Sequence, residues 1–266
     1  MVSIPKRKRK PRFPQFPPRI LPWLDVIAIA AWGVLLLYYW QANKLELLIQ
    51  RDFFWLIITA GFGLLCVALL KFKQMISTRR VKEASPQQHI SVFAPGWGSV
   101  LLLVVAISGF LISPQVFASD HALNQNLSEI LSSSRVRPQS FRSSRRPEER
   151  TLIDWVRTLS VYPEPDAYTG QKAKVTGFVI HPPETGDNLI LLSRFVITCC
   201  AADAYPIALP VKLEGSRQDY PPDTWLEIEG KMITETIAGT RRLTIAANNI
   251  KKIPRPTNPY SDERDS

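Results

Sequence analysis

Apolar residues are bunched in the first half of this chain and alternate in the second, and the two patterns predict different kinds of structure. Residues 53–70 and 97–117 contain no charge, and residues 20–40 are interrupted only by Pro22 and Asp25 near their start. A bilayer core of about 30 Å takes about 20 apolar residues in a helix, and each stretch comes close to that length. In lipid the backbone must bond internally, so all three are expected to be transmembrane helices. Trp23, Tyr38, Tyr39, Trp40, Trp55 and Trp97 fall near the proposed ends, where an interfacial aromatic belt belongs. Lys6-Arg7-Lys8-Arg9-Lys10 resembles the basic start of a secretory signal, but no small-residue cleavage site follows. The first span is therefore expected to be a retained anchor.

Beyond residue 118 the apolar pattern first lapses and then changes period. Residues 118–147 are rich in Ser and Arg and read as a linker. Pro147-Glu148-Glu149 suits a helix start, and Leu152, Ile153, Val156 and Leu159 lie at helical spacing, so a short amphipathic helix is expected over 148–160. Pro163 and Pro165 end it. Strands are then expected at 172–180, 189–199, 207–213, 225–233 and 241–253, with Gly177 and Gly230 at bends. This predicts a membrane α-helical N-terminal half joined to a small all-β domain, an OB-like, partly open Greek-key barrel, with a small sandwich as the alternative. The chain divides into a basic Pro-rich tail (1–19), a transmembrane region (20–117), the linker (118–147), the β domain (148–255) and a polar tail (256–266).

Charge sets the orientation. The tail and the loop after the second span carry Lys6 to Arg19 and Lys71, Lys73, Arg79, Arg80 and Lys82, whereas the opposite side has Lys44, Arg51, Arg135 and Arg137. Basic loops stay in the cytoplasm, so three spans put the N-terminus inside and the β domain outside the plasma (inner) membrane of a bacterium. Residues 1–150 hold 20 Lys and Arg against 8 acids, whereas residues 151–266 hold 13 against 15. The folded domain thus has no basic surplus, and its charge argues against nucleic acid. The N-terminal tail, rich in proline, is expected to meet anionic lipid headgroups.

Little catalytic chemistry is on offer. The three histidines are His89, His121 and His181, and no nucleophile elbow, phosphate loop, zinc-protease motif or dinucleotide fingerprint occurs, so no enzyme is expected. Asp25 is an acid inside a proposed span, close enough to its end to be hydrated. Cys66 falls in mid-span and reads as packing. Cys199-Cys200, followed by Ala-Ala and Asp203, is the one local feature with distinctive chemistry. Extended neighbours point to opposite faces, so both thiols serve one ligand only if the chain turns there. Three readings stand side by side. The cysteines pack as small hydrophobes, or they are oxidised outside the cytoplasm, or they join Asp203 and His181 in holding zinc or another soft metal, with His181 reaching across the hairpin.

Tyr168-Thr-Gly170, Val175-Thr-Gly-Phe178 and Arg194-Phe195-Val-Ile-Thr-Cys199-Cys200-Ala-Ala-Asp203 come in that order after the short N-terminal spans. In this the chain resembles the YcgQ-like family of bacterial predicted two-component permease subunits. The resemblance implies an accessory subunit that works in a complex with a larger multi-span permease, its β domain contacting that partner or capturing cargo. It places Arg194, Phe195, Cys199, Cys200 and Asp203 at the family's signature positions without assigning them roles. Many members carry a histidine between the first two spans, where this chain has Gln50-Arg51-Asp52. An envelope interaction or thiol-redox module with no transport role is the alternative.

Overall fold

A computed structural model describes residues 17, 20–77, 96–115, 118–119, 122, 146–183 and 185–260. The basic tail, His89, His121, Arg135, Arg137 and most of the expected linker lie outside those residues. The chain divides into two units. One contains the apolar helices. The other joins Glu46–Arg51 to everything from Gln115 onward.

In the first unit, α1 (Leu21–Gln41), α2 (Phe54–Ser77) and α3 (Trp97–Leu111) follow the three apolar stretches, and α1 packs against both of the others. Close approach depends on glycine. A Cβ at Gly33 would meet Leu65 Cγ at 2.9 Å, and one at Gly109 would meet Leu35 Cδ2 at 2.8 Å. Small residues at such crossings let helix backbones approach where lipid supplies no hydrophobic drive. The Trp32 indole N–H donates to the Leu102 carbonyl at 3.0 Å, and the Ser99 hydroxyl donates to the Asp25 carboxylate. The acid expected to stay hydrated near the span end is therefore partnered by a neighbouring helix.

Two of these helices are long and apolar enough to cross a membrane. The third departs from expectation. Its apolar stretch predicts a helix to Phe117, but α3 has 15 residues and stops at Leu111. Ile112 is already extended, and Ser113-Pro114 follows, a pair that disfavours helix because a residue before proline is pushed out of the α region. At 1.5 Å per residue α3 spans about 22 Å, less than a hydrocarbon core. α2 instead outruns its expected end at residue 70, continuing through Lys71 and Lys73 to Ser77.

In the second unit, α4 (Leu152–Val161) precedes β1 (Lys172–Ile180), β2 (Leu189–Val196), β3 (Tyr205–Lys212), β4 (Trp225–Ile237) and β5 (Thr240–Lys252). The expected helix start at Pro147 is a separate 3-10 turn. α4 begins after Thr151, whose hydroxyl accepts the Asp154 N–H while the Asp154 carboxylate accepts the Thr151 N–H. The strands form one mixed sheet in the order β1-β2-β3-β5-β4, and β4 pairs back onto β1, so the sheet closes on itself. That excludes the sandwich. All pairings are antiparallel except a short parallel seam between β3 and β5 at Val211↔Ile245 and Lys212↔Ala246.

Alternation explains the interior. Val175 and Val179 of β1, Ile190 and Leu192 of β2, Leu226 and Ile228 of β4 and Ile245 of β5 form the main core with Leu152, Trp155 and Val156 of α4. A second apolar cluster gathers Phe178, Ile180, Leu191, Phe195 and Trp225 with Ala122 and Tyr260. Both sides of β2 are thus covered, which is why Leu189–Phe195 reads as an unbroken buried run rather than an alternating one. Tyr260, within the expected polar tail from residue 256, is buried in this cluster. The two glycines meet backbone. A Cβ at Gly177 would lie 2.6 Å from Ser193 O, and one at Gly230, beside the register shift of β4, would lie 2.1 Å from Ala246 O.

Candidate functional site: the Cys199-Cys200 corner

β2 ends at Val196 rather than running to Cys199 as expected, because the Asp203 carboxylate captures the backbone instead. Its oxygens accept the Thr198 N–H at 3.0 Å and the Cys199 N–H at 2.8 Å. The chain then makes one 3-10 turn, Ala201–Asp203, in which the Asp203 N–H donates to the Cys200 carbonyl at 3.0 Å. Asp203 therefore staples the corner from its far end. This is a local side-chain-to-backbone bond competing with the strand ladder.

The turn brings the thiols together. Cys199 Sγ and Cys200 Sγ are 3.7 Å apart; Cys199 is exposed and Cys200 partly so, and both are free. Hydrogen bonding to the Asp203 carboxylate, with a smaller effect from Cys200, pushes the Cys199 thiol up to about 11, since losing its proton would put two negative charges side by side. Partial burial works to raise the Asp203 pKa, but bonds from Thr198, Cys199 and Cys200 outweigh it and hold the carboxyl below its usual range.

The corner also has a backbone partner that is remote in sequence. Ile49 and Cys200 form an antiparallel bridge. The Gln50 N–H donates to the Cys199 carbonyl at 3.1 Å, and the Ala201 N–H donates to the Leu48 carbonyl at 2.7 Å. Leu47 packs against the second apolar cluster. Arg51 and Glu46 pair at 2.9 Å across the ends of the segment.

Residues 149–261 match the family model described as the DUF1980 C-terminal domain. No curated protein matches the chain.

The matched residues include all five signature positions, and the structure gives two of them packing roles. Phe195 stacks on Phe178 with ring centroids 5.4 Å apart. Arg194 is 1% exposed, with its guanidinium 5.3 Å from the Trp225 ring centre. Phe178 and Trp225, both aromatic and near the strand ends, are buried packing residues.

Cys199, Cys200 and Asp203 come together as the sequence suggested, but His181 does not join them. β1 and β2 are antiparallel with Ile180 opposite Leu191, so His181 follows the end of β1 beside the start of β2. The corner follows the other end of β2. From Ile190 to Val196 alone is about 20 Å at roughly 3.3 Å per residue. His181 Nε2 sits 2.8 Å from the Tyr220 carbonyl. Both oxygens of Asp203 already accept backbone N–H groups. Among the described residues no group of three or more His, Cys, Asp and Glu side chains is arranged to hold a metal ion. These four residues therefore do not fit a tetrahedral zinc set.

Sequence reasoning missed Leu48-Ile49-Gln50. Only a β-branched residue, Ile49, in the short segment between the first two apolar stretches hinted at strand pairing there. It also missed Asp223, at φ +65°, whose carboxylate accepts the Ser119 N–H at 2.6 Å and hydroxyl at 3.0 Å.

Proposed function

We propose that this chain is an accessory subunit of a larger membrane complex, anchored by three crossings, with a DUF1980-type, OB-like β domain held outside the cytoplasm and no catalysis of its own. The observation that carries the reading is the folding of Glu46–Arg51 into the same unit as the β domain. Those residues lie between α1 and α2 in sequence, so the loop between the first two helices and the C-terminal domain share one side of the bilayer. If α2 crosses, a second crossing must return the chain, and α3 is the apolar helix available for it. Its shortness is accommodated by local thinning of the bilayer or by snorkelling of flanking residues, at a fraction of a kcal/mol per Å. The lysines and arginines at the tail and beyond α2 support a cytoplasmic N-terminus in a bacterial plasma membrane.

The outward apolar residues suit contact with lipid tails or with further helices in the membrane. Trp55 is 62% exposed, and Phe62, Leu69 and Val104 are also exposed. Three helices are too few to enclose a transport path, so a transport role belongs to a complex with a multi-span permease, as the YcgQ-like resemblance implies. The polar chemistry of the β domain is largely committed to structure, as Asp154, Asp203, Asp223 and His181 illustrate. To test this, the tagged full chain is crosslinked in bacterial membranes, extracted in mild detergent and purified. A stoichiometric multi-span protein in the product supports the reading. A chain that purifies alone after efficient crosslinking contradicts it.

A further inference from the structure

The described residues bring one pair of free thiols close together. Cys199 and Cys200 are free, accessible and 3.7 Å apart at sulfur. The backbone between them is also the strip that binds Leu48–Gln50. The Cys199 carbonyl and the Ala201 N–H bracket Cys200, and each makes one of the two bonds to that segment. Any covalent change that rotates the Cys199–Cys200 peptide unit must therefore act on this pairing.

We infer that Cys199 and Cys200 form a reversible vicinal disulfide, and that ring closure releases Leu48–Gln50 from the corner. The sulfurs must approach from 3.7 Å to about 2.05 Å. Neighbouring Cα atoms are about 3.8 Å apart, below the usual span for a disulfide of roughly 4.4–6.8 Å, so closure twists the intervening peptide unit. Cys200 now has φ −154° and ψ 170°, an extended geometry that suits the bridge to Ile49, and drawing the sulfurs together turns the peptide unit that carries the Cys199 carbonyl. The carbonyl of Cys199 then swings away from Gln50. The oxidant is a disulfide-bearing species, protein or small molecule. A thiolate of the pair attacks it, forming a mixed disulfide and expelling one thiolate. The second thiol loses its proton, attacks the mixed disulfide and expels the other thiolate. The two cysteines lose two hydrogens between them, and the oxidant's disulfide is reduced to two thiols. Cys199, held protonated by Asp203, is the slower attacker and the one that closes the ring. The physiological occasion for this switch rests on the extracytoplasmic placement proposed above, whereas the chemistry does not.

The test uses the purified full chain in detergent, treated with oxidised glutathione. Tryptic cleavage after Arg194 and Lys212 isolates both cysteines in residues 195–212, away from Cys66. The expected product is that peptide lighter by two hydrogens. Amide exchange at Gln50 and Ala201 should become at least ~10-fold faster, as local opening predicts. Dithiothreitol should reverse both changes. A Cys199→Ser variant should show exchange indifferent to oxidant. Persistent glutathione adducts without ring closure, thiols that stay alkylatable, a closed ring with unchanged exchange, or faster exchange in Cys199→Ser would each overturn the inference. Sidedness plays no part in this experiment, so its failure is distinct from failure of the topology.

Discussion

Asp203 accepts two backbone N–H groups, helps to raise a thiol pKa and closes the turn that carries both cysteines. Replacing it with Asn removes the charge that holds Cys199 protonated. Alkylation of Cys199 at pH 8 by a neutral maleimide should then be faster in Asp203→Asn than in the parent chain, and an unchanged rate would refute the assignment. Loss of two exposed charge-assisted bonds should cost about 1 kcal/mol in urea melts, the low end because the corner is solvated. The pH dependence has two signs. The fold favours the protonated Cys199 thiol, so that contribution is intact below the ordinary thiol range and is lost as pH rises through about 11. The fold favours the ionised Asp203, so its contribution is present above the ordinary carboxylate range and is lost as pH falls through its depressed value. In the sequence Asp203 stood out as a motif residue. Its role as a staple was not legible, because a carboxylate looks the same whether it binds a metal or the backbone four residues earlier.

At the scale of elements, two glycines mark where strands are forced together. Gly177→Ala would drive a methyl against Ser193 O, and Gly230→Ala against Ala246 O, with backbone on the receiving side in both cases. Each should lower stability by about 2 kcal/mol or more, measured by thermal or urea unfolding, as overpacked sites do. Gly63, where an added methyl would meet nothing within 4 Å, should tolerate alanine. Glycines inside alternating strands were expected at bends; both mark close backbone approach, and a register shift lies beside Gly230. All five strands were also anticipated, since β-branched runs and turn residues are local signals. The end of β2 was not, because the apolar run through Val196 continues in Ile197. Nor was the end of α3, where Ser113-Pro114 outweighed the hydropathy of the residues around it. In the helical unit, Gly33→Val should push α1 away from Leu65 and reduce the yield of folded protein extracted from membranes, whereas Gly98→Ala, at an open position, should not.

Considered whole, the molecule ties a loop between its first two apolar helices to the thiol corner of a domain that begins about a hundred residues later. Hydrophobic length and basic-residue counts lead to the expectation that both lie on one side of a membrane. No local pattern announced that Leu48–Gln50 and Cys199–Ala201 would pair, because contacts so distant in sequence leave no periodicity. Hairpin reach had likewise suggested His181 as a neighbour of the cysteines, and the register of β1 on β2 sends it to the opposite end. The shared side of loop and domain is the claim on which the three-crossing account stands. It is tested by single cysteines at Asp52, Glu214 and Lys73 in a Cys66→Ala, Cys199→Ser, Cys200→Ser background, exposed in intact cells to a membrane-impermeant maleimide. The account predicts labelling at positions 52 and 214 and protection at 73 until the cells are opened. Labelling at only one of 52 and 214, or at 73 in sealed cells, would contradict it.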